Sequence, residues 1–225
     1  MILYGPIGSC AKRLCMHTLL LATSNLHKLE EFRALFSDVP LRLLSLSDIQ
    51  LAIDVEETGI TFAENAELKA RTYAQMSNIL TLADDSGLEI DALRGAPGVQ
   101  SARYLDSETS YQERFRVILE QLKGLPLDQR SARFRCVIAL VEPLGNIRMV
   151  EGVVEGVIAE GPRGTNGFGY DPIFFIPELG KTFAELAPEY KNRISHRALA
   201  AQSARKLLED WPYLLCANRD HTERR

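Results

Sequence analysis

The feature that most constrains the fold is a pair of long strand-like runs in the middle of the chain, residues 132–142 and 147–159. Apolar and β-branched residues, which favour strands, dominate both runs. The four residues between them, 143–146, read Pro-Leu-Gly-Asn and are typical of a turn. We therefore predict an antiparallel hairpin, and any sheet that contains it has at least one antiparallel pair.

Strand-like and helical segments alternate before this hairpin. The predicted strands are 18–23, 41–46 and 79–83, and the predicted helices include 29–36, 61–73 and 111–122. Thr61 and Glu64 have the spacing of a capping box, which marks the start of the second helix. A turn at 84–87 is predicted to end the third strand, and a turn at 188–190 precedes a last helix from Ser195. This order of elements predicts an α/β protein with a mixed, twisted sheet flanked by helices.

Length and composition fit one globular domain and exclude two classes of partner. The chain has 225 residues, of which 46% are hydrophobic and 25% charged, and its net charge is -4. A surface that coats nucleic acid needs a basic face, so no nucleic-acid partner is predicted. The apolar runs are too short to span a bilayer, so no membrane partner is predicted.

The cysteines and the two chain ends bear on location and boundaries. The cysteines are Cys10, Cys15, Cys136 and Cys216. Their spacing matches neither a zinc site nor a disulfide framework, which indicates a reducing cytoplasm. Residues 1–15 precede the first periodic pattern and are predicted to be a disordered extension. The folded unit is predicted to span 16–215 as a single domain, followed by a tail at 216–225.

A glycine-rich run at 164–172 reads Gly-Thr-Asn-Gly-Phe-Gly-Tyr-Asp-Pro. Two interpretations are open. Clusters of Gly and Asn commonly form hairpin turns. Alternatively, the glycines give backbone freedom, Phe168 and Tyr170 offer flat rings to a planar ligand, and Asp171 places a carboxylate before a proline that presets the turn. The second interpretation predicts half of a nucleobase pocket.

A polar loop at 23–28, Thr-Ser-Asn-Leu-His-Lys, lies between the first predicted strand and the helix that follows it. Free backbone N–H groups at a helix start form a natural seat for phosphate. Lys28 falls in the first helical turn, where its charge opposes the helix dipole unless an anion is present. The alternative is that Lys28 extends into solvent. The loop is not a Walker loop, because the G-x-x-x-x-G-K-[ST] pattern is absent.

Acidic residues offer a site for a divalent cation. Asp84 and Asp85 are adjacent in an extended segment, so their side chains are predicted to point to opposite faces, and one of them is structural. The other, with Glu56 or Glu57, would supply the hard oxygen ligands that Mg²⁺ takes beside water and phosphate. The alternative is an Asx turn beside a solvated acidic loop.

Four further polar side chains are candidate ligand donors. Lys69 shares a helix face with Asn65 and is the only ligand candidate on that helix. Lys191, His196 and Arg197 lie around the start of the last helix. Each of them, taken alone, is typical of an ordinary surface residue.

Together these segments resemble the inosine/xanthosine triphosphate pyrophosphatase family, also called Ham1-like. The resemblance runs in order from about Thr18 to Trp211. The residues that carry it are 23–28, 56–59, 61–62, 64–66, 68–70, 83–88, 95–98, 101–104, 167–172 and 195–197. It implies two lobes with an active-site cleft between them, Mg²⁺ as cofactor and a homodimer. It also implies hydrolysis of ITP, dITP or XTP to the monophosphate and pyrophosphate.

The resemblance implies a role for each matching residue. Asp85 would act as general base and, with Glu56, would hold the metal. Lys28 and Lys69 would serve catalysis and, with Lys191, would hold phosphates. Ser24, Asn25, Leu26 and His27 would also hold phosphates, and further substrate contacts would come from Thr23, Ser86 and Gly169. The base pocket would be formed by Phe168, Tyr170, Asp171, His196 and Arg197.

Ser24 departs from the family pattern, which often has glycine at this position. Its Cβ would hinder close approach of the backbone to phosphate, although its hydroxyl can cap the helix or donate a hydrogen bond. Arg197 is the leading hydrogen-bond donor to the base. A 6-oxo purine can accept from it, whereas the amino group of a 6-amino purine would place an N–H group against another donor.

Two alternatives to this function remain. The same phosphate-binding residues would permit a pyrophosphatase for ordinary or otherwise modified NTPs. A purine nucleotide-binding module without catalysis is the second alternative. The lysines and the acid poised beside them argue against the second, because binding alone does not require a base for water.

Overall fold

A computed structural model describes residues 17–211, and its centre is a single seven-stranded sheet. The strands are β1 (His17–Leu21), β2 (Leu41–Ser45), β3 (Leu80–Ile90), β4 (Ser131–Val141), β5 (Ile147–Ile158), β6 (Phe174–Ile176) and β7 (Lys181–Thr182). Their order in the sheet is β2-β1-β3-β4-β5-β6-β7. β1 pairs in parallel with β2 and β3, and every other pairing is antiparallel. The predicted mixed sheet and the β4–β5 hairpin are confirmed.

Five α-helices accompany the sheet. They are α1 (Leu26–Leu35), α2 (Phe62–Ser77), α3 (Tyr111–Gln121), α4 (Pro188–Ile194) and α5 (His196–Glu209). Single turns or short runs of 3₁₀ helix cover Asp91–Leu93, Gly98–Arg103, Leu127–Gln129, Pro177–Leu179 and Phe183–Glu185. Among residues 17–211, none of the helices combines the length and the apolar character that crossing a bilayer requires.

The helix starts follow from the capping residues that the sequence carries. Asn25 caps α1, Ser195 caps α5, and Thr61 with Glu64 forms the predicted capping box on α2. Because these caps satisfy backbone N–H groups at each helix start, local sequence alone fixes where the helices begin.

Two predicted turns are wrong. Residues 84–87 do not turn but continue β3, because the ladder with β4 runs through them from Asp84↔Ile138 to Gly87↔Arg135. Gly87 is needed there for a different reason, since a Cβ at this position would lie 2.3 Å from the Ser101 Oγ atom. The predicted turn at 188–190 is the first turn of α4. Pro188 is tolerated there because the backbone N–H groups of the first helical turn have no partner within the helix.

The apolar core divides the molecule into two lobes. In the first lobe, α1 and α5 cover one face of β1 and β3 with residues such as Phe32 and Ala204, and α2 covers the other face with Ala66 and Ala70. In the second lobe, α3 packs on the far halves of β3, β4 and β5 and on β6 through a cluster that includes Phe174. The predicted extension at 1–15, the tail at 216–225 and three of the cysteines, Cys10, Cys15 and Cys216, lie outside the described residues.

Candidate active site

A cavity of about 380 Å³ brings the predicted site residues together between the two lobes. Its lining includes these predicted residues: Thr23, Ser24, Asn25, Lys28, Glu56, Lys69, Asp85, Ser86, Phe168, Gly169, Tyr170, Asp171, Lys191, His196 and Arg197. Leu26 and His27 do not line it. Leu26 is 71% exposed and faces another depression, and His27 lines a second, smaller cavity.

The loop before α1 differs from the prediction in how its amides are used. The Asn25 Oδ1 atom accepts hydrogen bonds from the His27 amide at 3.0 Å and the Lys28 amide at 3.2 Å. These two N–H groups are therefore bonded within the loop and are not free. Lys28 does not extend into solvent either, because its Nζ atom pairs with the Asp84 carboxylate at 2.9 Å. The Asp84 carboxylate is therefore the anion that stabilises the charge of Lys28 at the positive end of the α1 dipole.

Asp84 and Asp85 point to opposite faces of β3, as predicted. The Asp84 carboxylate accepts from the Ser86 Oγ atom at 3.1 Å and lies 3.9 Å from the Arg197 Nε atom. Although burial opposes it, the charges of Lys28 and Arg197 hold the pKa of Asp84 well below its ordinary value. Asp84 is thus the structural member of the pair.

Asp85 faces α2 and the cavity. Its carboxylate accepts hydrogen bonds from the Asn65 Nδ2 atom at 3.0 Å and from the Ser86 amide at 2.9 Å. Burial raises the pKa of Asp85, the Glu57 carboxylate raises it further, and Lys69 acts in the opposite direction. A buried carboxyl with a raised pKa beside cations is typical of a functional site.

The outer cluster, Glu57, Lys69 and Arg103, lies beside Asp85. The Glu57 carboxylate accepts from both the Lys69 Nζ atom and, at 2.9 Å, the Arg103 Nη1 atom. Burial alone would lower the pKa of Lys69, but the charges of Asp84, Asp85 and Glu57 raise it, so the ammonium stays charged. The sequence left Glu56 and Glu57 open as metal ligands, and here Glu57 is the one held by cations. Within residues 17–211, Glu56 is exposed and forms no ion pair.

The inner cluster consists of Glu31, Asp171, Lys191 and Arg197. The last three line the cavity, and Glu31 lines the second, smaller one. The Lys191 Nζ atom donates to Glu31 at 3.0 Å and to Asp171 at 2.6 Å. Arg197 donates to Glu31 and, through Nη2, to the Ser86 Oγ atom at 3.0 Å. Burial raises the pKa of Asp171, whereas Lys191 lowers it. The structure therefore places Lys191 in contact with Asp171 and over the Phe168 ring, both of which are predicted for the base pocket.

Contacts with residues of the second lobe hold His196 and Tyr170 in place. The His196 ring stacks on Phe134 at a centroid distance of 4.6 Å, and burial with the charges of Arg197 and Lys191 lowers its pKa well below the ordinary value. His196 is therefore neutral. The Tyr170 hydroxyl donates to the Ser101 carbonyl at 2.9 Å, and its ring packs edge-on against Tyr111. Tyr170 is only 2% exposed, so most of its ring belongs to the core and not to the cavity.

Comparison with known proteins identifies the family. The model of the Ham1 family matches residues 19–207. The chain belongs to the Ham1 family. A protein of Geobacillus kaustophilus named dITP/XTP pyrophosphatase is 49% identical over 196 residues, which are 87% of this chain and 95% of that protein. One of Bacillus subtilis with the same name is 47% identical over 194 residues, 86% of this chain and 98% of that protein.

Solved structures that resemble this chain include proteins described as Ham1. A HAM1 protein from Coxiella burnetii superposes with a TM-score of 0.80 at 44% identity, covering 87% of this chain and all of that one. A structure described as a nucleoside-triphosphatase / dITP/XTP pyrophosphatase from Mycobacterium abscessus has a TM-score of 0.67 at 40% identity, covering 87% and 99% of the two chains.

Sequence reasoning missed three residues of this Ham1 family site. Asn65 is fully buried and joins the Gly59 amide, at 2.8 Å, to Asp85. Its place four residues before Lys69, on the same face of the helix, was an available signal. The available signal for Arg103 was that it lies in the 101–104 segment, one of the segments that carry the family resemblance. Glu31 lies on α1 among charged neighbours, and no local pattern distinguishes it from them.

Proposed function

We propose that this Ham1 family member hydrolyses the noncanonical purine nucleotides ITP, dITP and XTP to the monophosphate and pyrophosphate, which cleanses the nucleotide pool. One observation carries the proposal: a single cavity holds a buried acid with a raised pKa, Asp85, beside Lys28 and Lys69, and an aromatic wall at its far end. The names of the relatives from Geobacillus and Bacillus support the same substrate class.

Asp85 would take the proton of the water that attacks the α-phosphorus. A carboxylate whose pKa is raised toward neutrality accepts a proton more readily than an ordinary aspartate. The Asn65 Nδ2 atom and the Ser86 amide hold this carboxylate in one orientation. Lys28 and Lys69 would meet the negative charge of the phosphates, and Lys69 is kept protonated by the acids around it.

The residues of the cavity fit Mg²⁺. Five carboxylates line the cavity, from Asp54, Glu56, Glu57, Asp85 and Asp171, and five cationic side chains match them, from Lys28, Lys69, Arg103, Lys191 and Arg197. The cavity thus has no excess positive charge to offset a triphosphate. Residues 17–211 contain no group of three or more His, Cys, Asp or Glu side chains arranged for a metal. Mg²⁺ takes one or two carboxylates and completes its shell with water and phosphate oxygens, so two of the acids that line the cavity would be enough to hold it.

Asp85 and Glu56 are the residues we assign to the ion. Asp85 lies in the cavity beside another acid whose charge raises its pKa. Glu56 and Asp54 both line the cavity, are exposed and form no ion pair within residues 17–211, and we choose Glu56 because the family resemblance assigns the metal to it. When bound, Mg²⁺ would neutralise the phosphate oxygens and hold them in place for attack.

The inner end of the cavity would read the purine. Phe168 offers a ring for stacking, and the buried Arg197 offers guanidinium N–H groups, its Nε atom having no hydrogen-bond partner among residues 17–211. A 6-oxo group accepts from such a donor, whereas the 6-amino group of ATP would leave two donors facing each other. That mismatch costs about 1 to 3 kcal/mol, which corresponds to a selectivity of roughly 5-fold to 160-fold.

The decisive experiment measures the products from a panel of ITP, dITP, XTP, GTP and ATP with the purified chain, with Mg²⁺ and with EDTA. We expect pyrophosphate from ITP, dITP and XTP, much slower turnover of ATP, and loss of activity in EDTA. Orthophosphate as the first product would reject the proposed bond cleavage. Equal rates with ATP would favour an ordinary NTP pyrophosphatase, and tight binding without turnover would favour a binding module.

Assembly and location belong to the same proposal. The family resemblance supports a homodimer in the cytoplasm. Light scattering should give twice the mass of the chain, and a monomer would remove the dimer from the proposal.

A further inference from the structure

The side chain of His27 contacts the predicted base pocket and not the phosphate-binding part of the cavity. Its imidazole stacks on the Phe168 ring with a centroid distance of 5.2 Å and an interplanar angle of 15°. His27 belongs to the first turn of α1, one residue before Lys28, whereas Phe168 lies in the loop between β5 and β6. The contact therefore links two segments that are about 140 residues apart in sequence, a separation read from the numbering.

Phe168 has little local support for its ring. It stands between Gly167 and Gly169, which have φ values of 73° and 63° and carry no side chain to pack against it. Its backbone is fixed, because the Phe168 amide donates to the Asp171 Oδ2 atom at 2.8 Å. Its ring is only half-buried, so the orientation of the ring depends on what lies against it.

The Phe168 ring is shared by two cavities. One is the main cavity, whose lining includes Phe168 but not His27. The other is a cavity of about 240 Å³ whose lining includes both His27 and Phe168. The Lys191 Nζ atom and the Arg197 Cζ atom also lie over the ring, at 5.0 and 5.4 Å from its centroid. His27 therefore supports Phe168 from outside the main cavity.

We propose that His27 is a positioning residue for purine recognition, holding Phe168 as a fixed aromatic wall of the main cavity. The inference rests on the proposed function and assigns to His27 a part in base binding, not in phosphate binding. If His27 already holds the Phe168 ring in place, the ring loses less conformational freedom when a base stacks on it. The contact with His27 should therefore increase the affinity for the base. A stacked aromatic pair is worth about 0.5 to 1.5 kcal/mol, or roughly two- to tenfold in binding.

The test compares His27→Ala, His27→Phe and the control Arg33→Ala, which removes an exposed side chain further along α1. Calorimetry measures the affinity of each full-length variant for IMP and, separately, for pyrophosphate. We expect His27→Ala to weaken IMP binding by about two- to tenfold and to leave pyrophosphate binding unchanged. His27→Phe should restore IMP binding, because a flat ring replaces a flat ring, and Arg33→Ala should match the parent chain.

Two results would overturn the inference. Unchanged IMP affinity in His27→Ala would show that the stacked pair does not support base binding. Equal weakening of IMP and pyrophosphate would place His27 with the phosphates instead. Failure of the proposed function is a separate outcome, since the unaltered chain would then release no pyrophosphate from ITP, whatever the affinities of the variants.

Discussion

The outer and inner clusters of the cavity hold their cations in different ways. In the outer cluster, a single carboxylate, Glu57, serves both Lys69 and Arg103, and these side chains keep 14 to 33% of their surface exposed. In the inner cluster, Lys191 and Arg197 are 5% and 2% exposed, and each contacts more than one acid. Water remains near the first group and is excluded from the second.

This difference predicts different duties. Ion pairs that keep contact with water contribute little to stability and exchange partners easily, which suits groups that must release one anion to bind another. Buried charges must stay paired, because an unpaired charge away from water is expensive. We infer that the inner cluster holds a fixed shape for the base and that the outer cluster is rearranged by phosphate.

The largest expected effect comes from breaking the inner cluster. Glu31→Ala should lower the free energy of unfolding by about 3 kcal/mol, because it removes an acid shared by two buried cations. Denaturant unfolding measures this change. The matched control is Glu30→Ala, the exposed neighbour on the same helix, which should stay within about 0.5 kcal/mol of the parent. Equal losses in the two variants would remove the distinction between the clusters.

The second effect falls on turnover and not on folding. Asp85→Asn should reduce ITP hydrolysis by at least about a hundredfold, since an amide cannot accept the proton of the attacking water. Steady-state kinetics with a thermal melt of the same sample separates lost chemistry from lost structure. A folded Asp85→Asn variant with near-parental turnover would end the assignment of a general base.

The third effect is a change in acid stability. The pKa of Asp84 is lower in the folded chain than the ordinary value of about 4, so its ionised form stabilises the fold above that pH. This contribution is lost as the pH falls below about 4 toward the folded pKa. In unfolding experiments across this range, Asp84→Asn should lose less stability on acidification than the parent chain does. Asp128→Asn, on an exposed turn, is the control, and parallel curves for all three would contradict the assignment.

The smallest effect is expected in the outer cluster. Glu57→Gln should change the free energy of unfolding by about 1 kcal/mol or less, because Lys69 and Arg103 keep partial contact with water. A loss as large as that of Glu31→Ala would show that the two clusters are equally structural.

Most of the fold could be predicted because its signals are local. The Thr61–Glu64 capping box, the helix start at Ser195 and the 143–146 turn act within a few residues of themselves, and each prediction made from them is confirmed. The two wrong turns arose where polar residues and proline were taken as breaks in secondary structure. The polar segment at 84–87 is held extended by β4, a partner 50 residues away that no local pattern reveals.

The sequence predicted which residues belong to the candidate site better than it predicted which of them contact each other. Motif matching pointed to residues that the structure gathers around one cavity, and their individual roles remain predictions. The pairing of Lys28 with Asp84 was not foreseen. This pairing depends on the distance between two segments after folding, and such a distance leaves no trace in spacing along the chain.

By itself, the sequence determined most of the helices and strands, the mixed sheet and the family, because hydrophobic period, caps and short motifs are written in neighbouring residues. Only the tertiary structure decided which acid holds which cation. Glu31 joins Lys191 and Arg197 across about 160 residues of chain, and His27 meets Phe168 in the same way. Ion pairing and stacking act over a few ångströms in space, so packing of the two lobes is what selects the partners.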